Sequence, residues 1–222
     1  MIRGLLKKEF ELVGRSSSGI VSVLVLIFSF VFIFHYAIEE YLTRDIPGLE
    51  FFYIGMKWAF LFIISFIFIG QSVWEEREGG AIHINEMFLQ PWIVFLVKSF
   101  VIFIVLFTLS FFLQAIFFLF FEHYQLDGNV IKSHIIFMGP GLLALSFLGV
   151  MLGLISISSR MKEIILPLLL IPFSIPVFMF GLGAEKQYMV SQENFLVSFI
   201  ILSALSVFYG AMGAFMYEVI NE

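Results

Sequence analysis

The stretch that decides the fold is WEEREGGAIHINEMFLQP, from Trp74 to Pro91, because it is polar and lies between two long apolar runs. Four charged residues stand together where the first apolar run ends: Glu75, Glu76, Arg77 and Glu78. Gly79 and Gly80 follow, and a glycine pair allows the chain to change direction sharply. We therefore interpret this stretch as a loop between two membrane spans.

The second half of the loop predicts a short helix. Residues 81–89 have room for about two helical turns, with Ile84 and Phe88 on one face. Pro91 opens the next apolar run, and proline suits the first position of a helix. A short helix across the ends of two spans would make a lever, and we expect a partner protein to dock on it. An inert interfacial connector is the alternative.

The composition requires a membrane. The 222 residues are 61% hydrophobic and only 13% charged, whereas a soluble domain is about a quarter charged. A bilayer core needs roughly 20 apolar residues per helix, and six such segments fit in the chain. The sequence predicts an all-α membrane protein with one transmembrane domain over residues 1–222, and its spans lie at about 19–38, 53–73, 92–121, 135–156, 164–182 and 195–217. The net charge of −5 and the lack of a basic stripe argue against a nucleic-acid partner.

The first 17 residues predict an amphipathic helix that lies along the membrane surface. Ile2, Leu5, Leu6, Phe10 and Val13 fall at helical spacing, and most charged residues lie elsewhere on the helix. A frayed charged tail is the alternative.

Basic residues predict the orientation, because cytoplasmic loops carry an excess of Lys and Arg. With six spans, eight of the 12 bases fall on the side of the termini, namely Arg3, Lys7, Lys8, Arg15, Arg77, Lys98, Arg160 and Lys162. The other four are Arg44, Lys57, Lys132 and Lys186. We expect both termini and the loop at 74–91 to be cytoplasmic. The linkers at 39–52, 122–134 and 183–194 would then face outward, and Lys57 could extend its ammonium to the outer interface.

No enzyme motif is present, so we expect a non-catalytic chain. The sequence has no GxxxxGK[ST] phosphate loop, HExxH, GxSxG or dinucleotide fingerprint. There are no cysteines, which excludes thiolate metal sites. Of the four histidines, His123 and His134 are the pair that we would test as haem ligands, although interfacial hydrogen bonding explains them more simply.

The spans offer no ion path of their own. No acid lies at mid-depth in any predicted span, which argues against an ion-coupled transporter. The fifth span contains Pro167, Pro172 and Pro176, and each interior proline removes a backbone donor. We expect that span to be kinked or broken.

Two blocks of the sequence carry a family resemblance that covers nearly the whole chain. The acidic span end with EREGG, the short amphipathic run and the proline, within residues 56–98, resemble the loop after the second span of ABC-2-type permeases. The block GVMLGLISISSRMKEIILPLLLIPFSIPVFMFG, residues 149–181, looks like the fourth and fifth spans of the CcmB family, the haem exporter protein B permeases of cytochrome c maturation. The basic amphipathic start is similar as well.

The resemblance implies a function and partners. The loop after the second span would be the cytoplasmic coupling helix that sits on a separate ATPase subunit, CcmA. CcmC, CcmD and the haem chaperone CcmE would complete the set of partners, in a bacterial inner membrane. ATP hydrolysis would be linked to haem delivery and release of the loaded chaperone. ATP would bind the partner, and this chain would hold no cofactor, although the complex would handle haem.

Two other functions stay open at this stage. An ABC-2 permease could export a lipid, a glycan or a drug instead. A membrane assembly scaffold that only recruits partners is a third hypothesis. For either permease, ABC function needs two transmembrane halves, so we expect a dimer of permease halves.

Overall fold

A computed structural model describes residues 2–15, 17–42, 49–78, 90–121, 128–157, 162–191 and 195–221. Within these ranges the chain is all-helical, with seven α-helices and no strand. The helices are α1 (Ile2–Arg15), α2 (Ser17–Leu42), α3 (Leu49–Glu78), α4 (Pro91–Phe120), α5 (Gly128–Ile157), α6 (Lys162–Ser191) and α7 (Phe195–Asn221).

Six of these helices, α2 to α7, are long and apolar enough to cross a membrane. Their apolar segments are Gly19–Ile38, Phe51–Gly70, Pro91–Phe120, Gly128–Ser156, Ile164–Val190 and Phe195–Ile220. The predicted fold class, a six-span helical membrane protein with a helix before the first span, is therefore confirmed. The predicted coupling helix falls in residues 79–89, which lie outside the described part of the chain.

Two predicted linkers are shorter than their polar sequences suggest. Residues 128–134 belong to α5, and residues 183–191 belong to α6. Both segments were expected to be outward-facing linkers, so that interpretation was wrong for them. The physical reason is that their polar side chains, including Glu185 and His134, are buried between helices and find partners there.

Helix α5 is the centre of the bundle. It packs against α3, α4, α6 and α7, and Leu142, Leu145 and Leu148 along it are buried completely. Helix α2 lies at the edge, touching α3 and α4 and exposing most of its apolar surface. In a membrane, that surface faces lipid or another protein.

Small residues allow the central helices to approach closely. A side chain on Gly149 of α5 would collide with Ile69 of α3, and one on Gly213 of α7 would collide with Phe95 of α4. Gly210 of α7 lies against Phe147 of α5. Gly149 of the fourth span and Gly210 of the sixth span therefore contact neighbouring helices, as small residues in membrane helices allow.

Helix α6 continues through all three of its prolines, Pro167, Pro172 and Pro176, so it is not broken. A kink at these positions stays a prediction. Because Pro176 has no N–H, the Pro172 carbonyl loses its usual helical donor. The Tyr209 hydroxyl of α7 donates to the adjacent Phe173 carbonyl at 2.7 Å, so the neighbouring helix supplies a polar contact at this point.

Candidate functional site

The predicted coupling loop is only partly within the described residues. Glu75 to Glu78 form the C-terminal turn of α3, so the helix includes the whole charged run. Gly79, Gly80, Ile84 and Phe88 lie outside the described residues, as does His123. The assignment of these residues to a coupling loop stays a prediction.

The end of the loop that leads into α4 lies within the described residues, and α4 begins at Pro91 as the sequence predicts. Pro91 occupies the first turn of the helix, after Gln90 as N-cap in an extended conformation. The Gln90 carbonyl accepts hydrogen bonds from the backbone N–H groups of Ile93 at 3.0 Å and Val94 at 3.4 Å. The Trp92 indole N–H donates to the Gln90 side chain at 2.8 Å. These bonds fix the direction in which the chain enters α4.

Helix α1 lies beside this start of α4. Leu5 is buried against Val94 and Val97, forming a small apolar cluster separate from the main core. Further along the same contact, Glu9 interacts electrostatically with Lys98, a lysine that is only 7% exposed. Burial raises the pKa of the Glu9 carboxyl above its ordinary value, and the positive charges of Lys98 and Lys8 oppose that rise.

The N-terminal helix, the charged end of α3 and the start of α4 are thus brought to one side of the bundle. We call this side the coupling face, defined by residues 2–15, 75–78 and 90–98. Its sequence includes the charged run at the end of α3, and its helix α1 exposes an apolar side chain, Phe10. Such a mixture suits a protein partner at a membrane surface.

A second polar site lies on the opposite side of the bundle, and sequence reasoning missed it. Lys57 of α3 forms an ion pair with Glu185 of α6, and the two residues are 2% and 1% exposed. Lys57 was expected to extend to the outer interface. That expectation was wrong, because its ammonium reaches a carboxylate inside the bundle instead.

The same carboxylate has two further polar neighbours, one on α3 and one on α5. The Trp58 indole N–H of α3 donates to Oε2 of Glu185 at 2.7 Å. The Ser133 hydroxyl of α5 lies 3.4 Å from Oε1, but also 2.9 Å from the Val130 carbonyl. A hydroxyl has one proton to donate, so Lys57 and Trp58 are the principal donors to Glu185.

The Trp58 indole occupies a slot lined by glycines. A Cβ on Gly141 of α5 would come within 2.8 Å of the indole, and one on Gly181 of α6 would also collide with it. Phe178 of α6 meets the ring edge-on at 5.9 Å between centroids. The indole is therefore fixed by steric contact as well as by its hydrogen bond.

His134 extends this polar region toward α4. Its Nε2 lies 3.0 Å from the Ser110 hydroxyl, and its ring meets Phe111 edge-on at 4.7 Å. The ring is completely buried, and within the described residues its Nδ1 has no hydrogen-bond partner. The amide of Gln114, one turn beyond Ser110, also lacks a partner among those residues. Nothing in the described residues tests haem ligation by His134, and this enclosed setting favours the simpler hydrogen-bonding role.

The described part of the chain contains no cluster of three or more His, Asp or Glu residues that could hold a metal ion. The two polar sites therefore offer an ion pair and hydrogen bonds rather than a ligand set. Of the two, the coupling face is the one that the sequence pointed to.

A scan against protein families decides the wider identity. The family described as CcmB protein matches residues 1–219, nearly the full chain. The chain belongs to the CcmB family. It is thus a multi-pass membrane permease component of cytochrome c biogenesis and not a catalytic subunit. Searches of curated proteins and of solved structures found no match.

In this CcmB-family chain, one signal could have revealed the second site. Lys57 lies between apolar residues in GMKWAF, Glu185 directly follows the apolar end of span five in GLGAE, and the two carry opposite charges. A charged residue within a span is costly unless it is paired, so each one should have prompted a search for the other.

Proposed function

We propose that this chain is the membrane subunit of an ATP-driven complex in which a separate ATPase, of the CcmA kind, binds the coupling face. The observation that carries the proposal is the family match over residues 1–219. The packing of α1 on the start of α4 supports it, and the charged sequence at the end of α3 leads into the loop between α3 and α4.

The family resemblance and, for the orientation, the distribution of basic residues support the remaining parts of the proposal. CcmC-like and CcmD-like membrane proteins are the expected neighbours, and a CcmE-like haem chaperone is the expected client. ATP binds the ATPase subunit, this chain holds no cofactor, and haem is cargo of the complex. The location is the bacterial inner membrane, with both termini cytoplasmic and two permease halves per complex.

Coupling works through the geometry of α3 and α4. The loop between them joins the charged end of α3 to the start of α4 at Pro91. A displacement of the loop by the ATPase would therefore be applied to both helix ends at once. The rest of each helix would carry the motion to the opposite side of the membrane, where the chaperone is loaded or released.

Two substitutions in the loop test the proposal. Glu78→Lys reverses a charge at the end of α3, and Gly79→Pro stiffens the glycine pair. Each should abolish the effect of this chain on the ATPase rate and stop cytochrome c maturation in cells, while the protein stays in the membrane. Normal maturation with either variant would show that the loop does not couple.

Matched controls separate coupling from general damage. Glu218→Lys reverses an exposed acid near the end of α7, and Gly128→Pro places a proline at the first position of α5, where proline is tolerated. Both controls should mature cytochrome c normally. If the ATPase fails to co-purify with the unmodified chain, the ATPase proposal itself is wrong.

Two other functions compete with this proposal, a permease with a different cargo and a scaffold. An ABC-2 permease for a lipid, glycan or drug would still respond to the loop variants in ATPase assays, but loss of the chain would leave cytochrome c maturation intact. A pure scaffold would recruit the ATPase without changing its rate.

A further inference from the structure

The buried carboxylate of Glu185 is the point where α6 is tied to α3. It pairs with the Lys57 ammonium and accepts the Trp58 indole N–H, while Ser133 of α5 lies alongside. Lys57, Trp58 and Glu185 are each no more than 2% exposed. None of these side chains belongs to the coupling face.

Their position along α3 gives them a mechanical role. Lys57 and Trp58 lie near the end of α3 that is remote from α1, and the charged run at 75–78 lies at the other end. The 21 positions from Lys57 to Glu78 correspond to about 32 Å of helix, roughly the thickness of a bilayer core. Helix α3 thus carries the coupling face at one end and the attachment to α6 at the other.

We propose that Lys57, Trp58 and Glu185 form a transmission joint that makes α6 follow the movements of α3. The proposal rests on the proposed function, because it assigns a route for the displacement that the ATPase applies to the loop. These three are positioning residues, since they act through the helices that they connect. The output of the joint is a movement of α6 on the side of the membrane opposite the coupling face.

The physical basis is the contrast between polar and apolar contacts. Separating Lys57 from Glu185 would leave two charges unpaired in an apolar interior, a cost that comes on top of the disturbed apolar packing. Gly141 and Gly181 leave no room for the Trp58 indole to shift sideways. Helices α3 and α6 should therefore keep their register when one of them is pulled.

Stability alone is a weaker explanation of the cluster. A buried ion pair often contributes no more to stability than well-packed apolar residues of the same size would. In the proposed joint, the pair instead specifies one position of α6 relative to α3. Replacing both charged residues by methionine should consequently keep the fold, but the position of α6 relative to α3 should no longer be fixed by the ion pair. The variant Lys57→Met/Glu185→Met is thus the direct test.

The experiment uses the full complex with its ATPase subunit. The double variant should bind the ATPase as the unmodified chain does and should keep its thermal stability. Its stimulation of ATP turnover and its yield of mature cytochrome c should fall by about fivefold or more, the lower end of typical coupling between distant sites. The control Lys132→Met/Glu218→Gln removes one exposed base and one exposed acid. It should leave the stimulation of ATP turnover and the yield of mature cytochrome c unchanged.

A covalent rescue makes the test specific. Gly55 of α3 faces Leu182 of α6, with 4.0 Å between the position of a Gly55 Cβ and Cδ1 of Leu182. The chain has no cysteine, so Gly55→Cys and Leu182→Cys introduce a unique pair for a short thiol cross-linker. In the double-methionine background, cross-linking should restore coupling, because it ties the same two helices at the next turn.

The outcomes separate this proposal from the one that it rests on. Normal coupling in the double variant would overturn the proposal that these residues make α6 follow α3. Coupling that stays lost after cross-linking would overturn it as well. If the double variant does not fold, Lys57→Gln/Glu185→Gln with the same cysteine pair gives the same test, since it removes both charges and keeps side chains that can hydrogen-bond. A failure of Glu78→Lys and Gly79→Pro to uncouple would instead remove the proposed function.

Discussion

Gly181 of α6 lies directly against the six-membered ring of Trp58 of α3, with no room for even a methyl group between them. Gly141 of α5 makes a similar contact with the same ring. Three helices therefore meet at one indole, and their spacing is set by two residues that lack side chains. This contact is what brings Glu185 within reach of the indole N–H.

We predict that Gly181→Ala destabilises the protein although alanine favours helices. The added methyl group must displace the indole, and overpacking of this kind costs about 1–3 kcal/mol. Thermal unfolding of the detergent-solubilised protein measures the effect. Gly183→Ala, two residues further along α6, meets no atom within 4 Å and should be neutral or stabilising by up to about 1 kcal/mol. Equal stabilities for the two variants would show that Gly181 does not confine the Trp58 indole.

The ion pair predicts an unusual pattern of stabilities. Lys57→Met alone leaves Glu185 buried without its counter-charge, so it should cost about 3–5 kcal/mol. Lys57→Met/Glu185→Met should recover most of that loss, because no charge then remains unpaired. Unfolding titrations of the single and double variants test this, and a double variant that is less stable than the single one would disprove the pairing.

Docking of α1 should depend on pH through Glu9. Burial raises the pKa of Glu9 above its ordinary value of 4.5, against the opposing charges of Lys98 and Lys8. The docked helix thus binds the proton more tightly than the free helix does. The contribution is fully present below pH 4.5 and is lost as pH rises through the raised pKa, so docking should weaken over that window.

Hydrogen exchange of the α1 amides can follow this loss of protection. Glu9→Gln should remove the dependence on pH, whereas the exposed Glu11→Gln on the same helix should leave it in place. Protection that increases with pH in the unmodified chain would mean that the Lys98 attraction outweighs burial.

We predict that His134 is not a haem ligand. Its Nε2 is engaged with the Ser110 hydroxyl, and its ring is enclosed beside Phe111. His134→Gln can keep a hydrogen bond to Ser110, so the haem absorption spectrum of the purified complex should not change. Loss of the Soret band in this variant alone would reverse the assignment.

The membrane spans were predictable from sequence because hydropathy is a local property. Six apolar segments of sufficient length give six helices, and Pro91 begins α4 where its chemistry predicts. The segments at 128–134 and 183–191 were not predictable in the same way. Their polar residues resemble a solvated linker unless their partners are known.

Those partners are far away in the chain. Glu185 meets Lys57 across 128 positions, and His134 meets Ser110 across 24. No periodic pattern within one helix records such a pairing, because it depends on how the helices are arranged in the bundle. For the same reason the loop at 74–91 was visible as a polar interruption, while the buried cluster was not.

The distance in sequence between Lys57 and Glu185 also sets an order of events during synthesis. The lysine enters the bilayer with the second span, and its counter-charge is translated 128 residues later. At 5–20 residues per second, that delay is about 6–26 s. Throughout this interval the nascent chain holds an uncompensated ammonium near one membrane surface. A chain that ended before α6 would keep Lys57 without this counter-charge.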